Sequence, residues 1–167
     1  MILQEIKENH IHPFEINNAK LVQLFSFFLH KAPTIGSEGA LAIDDAQLQT
    51  NWTQFIEYLG NVNYGFISSN QRIENIFGRY DLDNTSTVSR KKKGFICKYK
   101  DSNEKDYECL LRHIRNAIAH EHVYLKTGGN RNYILFEDFS TNSGNQSSRI
   151  IFCQTDLAKL RTFISQK

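Results

Sequence analysis

Between residues 112 and 120 the sequence reads Arg-His-Ile-Arg-Asn-Ala-Ile-Ala-His, a run that concentrates groups suited to phosphodiester chemistry. A histidine titrates near neutrality, so His120 can take the proton from a ribose 2′-hydroxyl or return one to a leaving 5′-oxygen. Arg115 offers a rigid fork of donors for phosphate oxygens and for charge that builds up in the transition state. Asn116 can orient the imidazole or the substrate. No carboxylate or thiolate cluster accompanies these residues, and a nucleophile internal to RNA needs no metal and no cofactor.

The run lies in a segment whose Tyr107, Leu110, Leu111, Ile114, Ala117 and Ile118 follow a helical period. On a wheel of about 100° per residue, Leu111, Ile114 and Ile118 centre the buried arc. His113, Asn116 and His120 then form one polar ridge pointing away from the core, with Arg115 at its border. Arg115 and His120 are about 140° apart on a straight helix. Their cooperation therefore requires a helix end near His120 or a second chain. Arg112 and His113 beside the pair, and Tyr124, Lys126 and Arg131 just past it, are candidates for substrate contact.

Arg115-Asn116-Ala-Ile-Ala-His120 resembles the signature of the HEPN superfamily, in which an Arg and a polar residue, often Asn, are followed by three residues and a His. The resemblance covers Tyr107 to the C-terminus as a pattern and the earlier helices as architecture only. It implies a mainly α fold, an up-and-down helical bundle with a β-hairpin and a short C-terminal helix after the motif helix, as a single domain over residues 1–167. It also implies a metal-independent endoribonuclease that leaves a 2′,3′-cyclic phosphate and acts as a toxin or antiviral defence effector. Arg115 and His120 would be catalytic, with Asn116 in support. The implied partners are RNA, a second copy that brings its motif to the interface, and an antitoxin. One departure stands out. Where HEPN toxins controlled by a nucleotidyltransferase carry a Tyr two residues after the His, this chain has His122, so no such modification is expected. The rival reading within the same fold is a non-catalytic module that binds RNA or nucleotide, or dimerises.

A metal site is the other rival, since His120-x-His122 with His113, or His10-x-His12, offers imidazoles. Side chains two apart on a helix diverge by about 200°, and no acidic cluster stands at ligand spacing. No metal is expected.

Several elements must position the run. Phe14 to Lys31 reads as a helix through Ala19, Val22, Phe25, Phe28 and Leu29, ended by Pro33 and the Gly36-Ser-Glu-Gly39 cluster. Leu48, Trp52, Phe55, Leu59, Val62 and Phe66 read as a long core-facing helix capped by Asp44 or Asp45. Ile73, Ile76, Phe77 and Tyr80 extend that helix or form another. Asp81 to Ser89 has a loop composition and leads into Arg90-Lys-Lys-Lys93, a solvated charge run on the first reading and a phosphate contact on the second. Phe95 to Tyr99 is a short strand or a loop wall. Asn132 to Phe139 and Arg149 to Gln154 read as a hairpin, and Thr155 caps a closing helix carrying Leu157, Leu160, Phe163 and Ile164.

Composition sets the outer bounds. The chain has 167 residues, 40% of them hydrophobic, and a net charge of +2, which suits one domain with a real core and excludes both a disordered tail and a strongly basic coat. Basic groups for RNA must therefore be local. Cys97, Cys109 and Cys153 are odd in number and unpaired in spacing, so a reducing cytoplasm is expected. The start carries acids and resembles no leader, and no apolar run reaches the roughly 18 residues of a membrane span. The chain is expected to be soluble.

Overall fold

The computed structural model describes residues 1–33 and 40–167, which form five α-helices and six strands. A short α1 (Leu3–Lys7) precedes β1 (His10–Ile11), followed by α2 (Ala19–His30), α3 (Asp45–Leu59) and β2 (Asn63–Ile67). Two 3₁₀ turns, Ile73–Asn75 and Phe77–Tyr80, lead to β3 (Gly94–Lys98) and α4 (Asp106–Ala119). Then come β4 (Val123–Gly128), β5 (Arg131–Phe139), β6 (Gln146–Cys153) and α5 (Gln154–Ile164).

The expected helical bundle is corrected here. The strands form one six-stranded sheet in the order β1-β4-β5-β6-β3-β2, antiparallel throughout except for the parallel pair β2 and β3. The hairpin expected from the sequence is its centre, whereas β1, β2 and β4 are strands that the apolar periodicity does not announce. The long helix expected through Val62 and Phe66 stops at Gly60, whose φ of 65° leaves the helical region, and Phe66 belongs to β2. Ile73, Ile76, Phe77 and Tyr80 lie in or beside the 3₁₀ turns and extend no helix. Phe95 is in a strand, the first of the two alternatives.

Both faces of the central strands are covered, so β3, β5 and β6 read as apolar runs, while β1, β2 and β4 are partly exposed and carry no such run. On one face Phe95, Cys97, Ile134, Phe136, Ile150 and Phe152 pack against α2 to α5. On the other, Ile96, Leu135, Ile151 and Cys153 pack against Leu3, Ile6, Phe77, Leu82 and Val88. Strands buried on two sides lose the apolar-polar alternation that marks a half-buried strand. Each fully buried Leu, Ile or Phe adds about 1.5–3 kcal/mol, so this double core dominates stability.

Local signals fix the helix ends. Asn18 Oδ1 accepts from Leu21 N at 3.1 Å to start α2, and Asp44 Oδ1 accepts from Gln47 N at 2.9 Å to start α3. The Gly36 to Gly39 cluster lies outside the described residues. At α5 the expected Thr155 cap is replaced: Cys153 is the N-cap, and the Asp156 carboxylate accepts its N–H at 2.8 Å. Lys93, from the basic run, reaches that carboxylate at 2.6 Å with 8% of its side chain exposed, so this member of the run is a buried ion-pair partner. Among the described residues no helix is long and apolar enough to cross a membrane.

Candidate active site

Helix α4 runs over the sheet with its C-terminus near the end where β5 finishes, and this end holds the Arg-Asn-His run. Three residues close the helix. His120 is its C-cap, Glu121 turns left-handed with φ 59°, Glu121 N donates to Ile118 O at 3.2 Å, and His122 N donates to Ala117 O at 2.8 Å. This pair of bonds is a Schellman closure, which normally uses Gly at the left-handed position. A helix end at His120 is therefore present, but the reversal follows that residue, and among the described residues no hydrogen bond joins Arg115 to His120.

The reversal separates three neighbouring side chains. His120 is exposed. His122 turns back so that its ring lies 4.9 Å from Phe139 and 6.3 Å from His120, centroid to centroid. Strand β1 covers the turn from outside: His10 Nε2 donates to the Glu121 carbonyl at 2.6 Å, and His12 Nδ1 stands 3.3 Å from the Glu121 carboxylate. Pairing of His10 with Tyr124 and of Ile11 with Val123 holds that cover in register.

The expected outward ridge is corrected at His113. That side chain is fully buried, with Nδ1 2.9 Å from Asp138 Oδ2 and Nε2 2.8 Å from the Lys98 carbonyl. Both partners are acceptors, so both ring nitrogens carry protons. Burial disfavours the imidazolium, but Asp138 and Cys109 outweigh it and raise the pKa to about 9. Burial likewise opposes the Asp138 carboxylate, and bonds from His113 and Asn116 hold its pKa below the ordinary value. A helical wheel does not show this, because α4 is flanked by the ends of β3 and β5 as well as by helices, and its buried arc also takes in Cys109 and His113.

Asn116, one turn on, is half-buried and donates from Nδ2 to the same Asp138 Oδ2 at 3.1 Å. Arg112 is engaged as well: it clamps Glu104 through Nε at 2.6 Å and Nη2 at 3.0 Å, and Nη2 also donates to the Lys98 carbonyl at 3.1 Å. Arg115 differs from its neighbours. Its Nε is buried and has no hydrogen-bond partner, and His122 Nδ1 shares that condition. Native structures leave few buried polar atoms unpaired, so each asks for a ligand or a role.

Beside Asn116 and Phe139 opens a groove of about 440 Å³. Arg72, Lys98, Lys100 and Asn145 line it, and among the described residues neither Lys98 nor Lys100 is ion-paired. Sequence reasoning missed these lysines, which come from the C-terminal end of β3 and its following loop. The adjacent acids Glu137-Asp138 inside an apolar strand were the available signal for the buried partner.

Of the predicted site residues, Arg115, Asn116 and His120 lie along the C-terminal part of α4 and its cap, and buried His113 shares the Asp138 carboxylate with Asn116 while Arg112 is partly exposed on Glu104. Tyr124 and Lys126 alternate with Val123 and Leu125 on β4. Val123 and Leu125 pack with the α4-side core, whereas Tyr124 joins the opposite one. Tyr124 stays near the turn through His10, 5.6 Å away ring to ring, and Lys126 lies further along the strand opposite Tyr133. Among the described residues no group of three or more His, Cys, Asp or Glu side chains is placed to hold a metal.

No curated protein and no solved structure matches the chain. The family model described as HEPN pEK499 p136 matches residues 3–166, nearly the whole length, and the chain therefore belongs to that HEPN family.

Proposed function

We propose that this protein is a metal-independent endoribonuclease, with Arg115 and His120 as the catalytic pair and Asn116 in support. The observation that carries this reading is the buried, unpartnered Nε of Arg115 on the helix that ends by presenting His120 to solvent. Arg115 makes no hydrogen bond or ion pair among the described residues, so its guanidinium is uncommitted; its Nε is closed to solvent, and the Nη groups would be the ones to meet a phosphate oxygen. In the reaction the ribose 2′-oxygen attacks phosphorus while the bond to the 5′-oxygen breaks. One imidazole takes the 2′-hydroxyl proton, and an acid returns a proton to the 5′-oxygen. The products are a 2′,3′-cyclic phosphate and a 5′-hydroxyl.

Two copies of the chain, paired through the motif ends of α4, would supply one His120 as base and the other as acid. The lysines of the adjoining groove would hold the flanking phosphates. The setting proposed is a toxin or antiviral effector held in check by an antitoxin.

The test is incubation of the purified protein with structured RNA in EDTA, beside Arg115→Ala and His120→Ala. Cleavage giving 2′,3′-cyclic ends and disappearing in both variants supports the reading. RNA binding without cleavage by the wild type would replace the nuclease with a binding module, and a strict monomer in sedimentation velocity that still cleaves would remove the paired-motif arrangement.

A further inference from the structure

At the end of the sheet away from His120, two grooves of about 980 and 510 Å³ meet at Arg131 and Thr155, where α5 begins. Lys20 and Arg161 line the larger, Arg90 and Lys91 the smaller, and Arg131 stands at their junction. Among the described residues none of these five cations is ion-paired. The acid on the wall, Asp156, is already neutralised by Lys93 at 2.6 Å. Tyr58 lines the smaller groove, its hydroxyl donating to Asp156 Oδ1 at 3.1 Å and its ring packed on Phe55 and Phe163, and it keeps 37% of its surface exposed. In a chain with a net charge of only +2, this is a marked local excess of positive charge.

From these residues we infer a second RNA-binding site, a groove that takes the backbone of a single strand. A row of unpaired cations beside an exposed aromatic ring is the arrangement that binds single-stranded nucleic acid, with phosphates on the cations and a base on the ring. The joined grooves exceed the volume of an ordinary small-ligand pocket, roughly 300–1,000 Å³, which favours a chain over a mononucleotide. The site contains Arg90 and Lys91 of the basic run and also Arg131. Strand β5 runs from Arg131 to Phe139, nine residues and about 25 Å from this groove to the ring that packs on His122. The groove therefore grips substrate without touching the reacting atoms, and its role in cleavage rests on the nuclease reading above.

The test measures binding of a fluorescent 20-nucleotide single-stranded RNA, 2′-O-methylated so that it cannot be cut, to the wild type and to the triple variant Arg90→Ala, Lys91→Ala, Arg131→Ala. The expected result is at least a tenfold loss of affinity and a log-log salt slope shallower by about two, since each phosphate-binding cation removed takes away about 0.7. A second variant, Lys20→Ala with Arg161→Ala, loses affinity in the same direction and serves if the triple variant melts early. On unmodified RNA the triple variant raises KM for long substrates more than kcat falls. Unaltered oligonucleotide affinity in both variants overturns the site, as does equal affinity for the matching duplex, or binding of ATP that requires Arg131 while RNA binding does not. Absence of cleavage by the wild type would sink the nuclease reading and leave the binding result to stand alone.

Discussion

Nδ1 of His113 lies 2.9 Å from Oδ2 of Asp138, and neither residue exposes more than 3% of its surface. The pair ties the third turn of α4 to the end of β5, and Asn116 shares the same carboxylate oxygen. The orientation of Asn116 thus depends on a charge balance inside the protein.

Stability should fall on both sides of neutrality through this pair. The His113 pKa is raised to about 9, so its contribution is complete below the unfolded value near 6.5 and is lost as pH rises through about 9. The Asp138 pKa is lowered, so its contribution is complete above the unfolded carboxylate range and is lost as pH falls through the lowered value. Urea midpoints should be lower at pH 9.5 than at pH 6, and Asp138→Asn should flatten that difference. An equal alkaline loss in Asp138→Asn would assign it to other groups.

Arginine at position 115 should not be replaceable by lysine. Lysine keeps the charge but lacks the planar fork, so both Arg115→Lys and Arg115→Ala should lower kcat/KM for RNA cleavage by about 10²-fold or more. Initial rates on a labelled RNA, with thermal melts to confirm folding, decide the point. Near-normal activity in Arg115→Lys would reduce the residue to a point charge.

Glu121→Gly should raise stability by about 1 kcal/mol. The left-handed φ of 59° costs a side-chain-bearing residue about that much, and glycine is free of the cost. The ion pair with His12 that glycine removes is more than half exposed on both sides and contributes little. A higher melting temperature with an unchanged helix signal is the expected result, whereas Glu121→Val should melt lower than wild type.

Lys93→Ala should cost about 3–5 kcal/mol, because it leaves the buried Asp156 carboxylate without its cation at the start of α5. Lys91→Ala, in the same run but exposed, should change stability by less than about 0.5 kcal/mol. Denaturant unfolding of the two variants side by side makes the contrast.

The sequence by itself determined the motif helix, a cap at Asp44 or Asp45, the central hairpin, and the placing of Arg115, Asn116 and His120 together on that helix. These features are local: a helical period, a capping side chain and a short signature need only nearby residues. Tertiary structure alone decided the rest. Pairing between distant segments added β1, β2 and β4 to the hairpin: Phe66, which continues a helical period from Leu48, became a strand residue because β2 pairs in parallel with β3. Packing of α4 against two strand ends turned His113 from an outward ridge residue into a buried cation, an outcome set by Asp138, twenty-five residues away. The chain reversal at Glu121 exposed His120 while folding His122 back, through a left-handed turn that no residue preference announces.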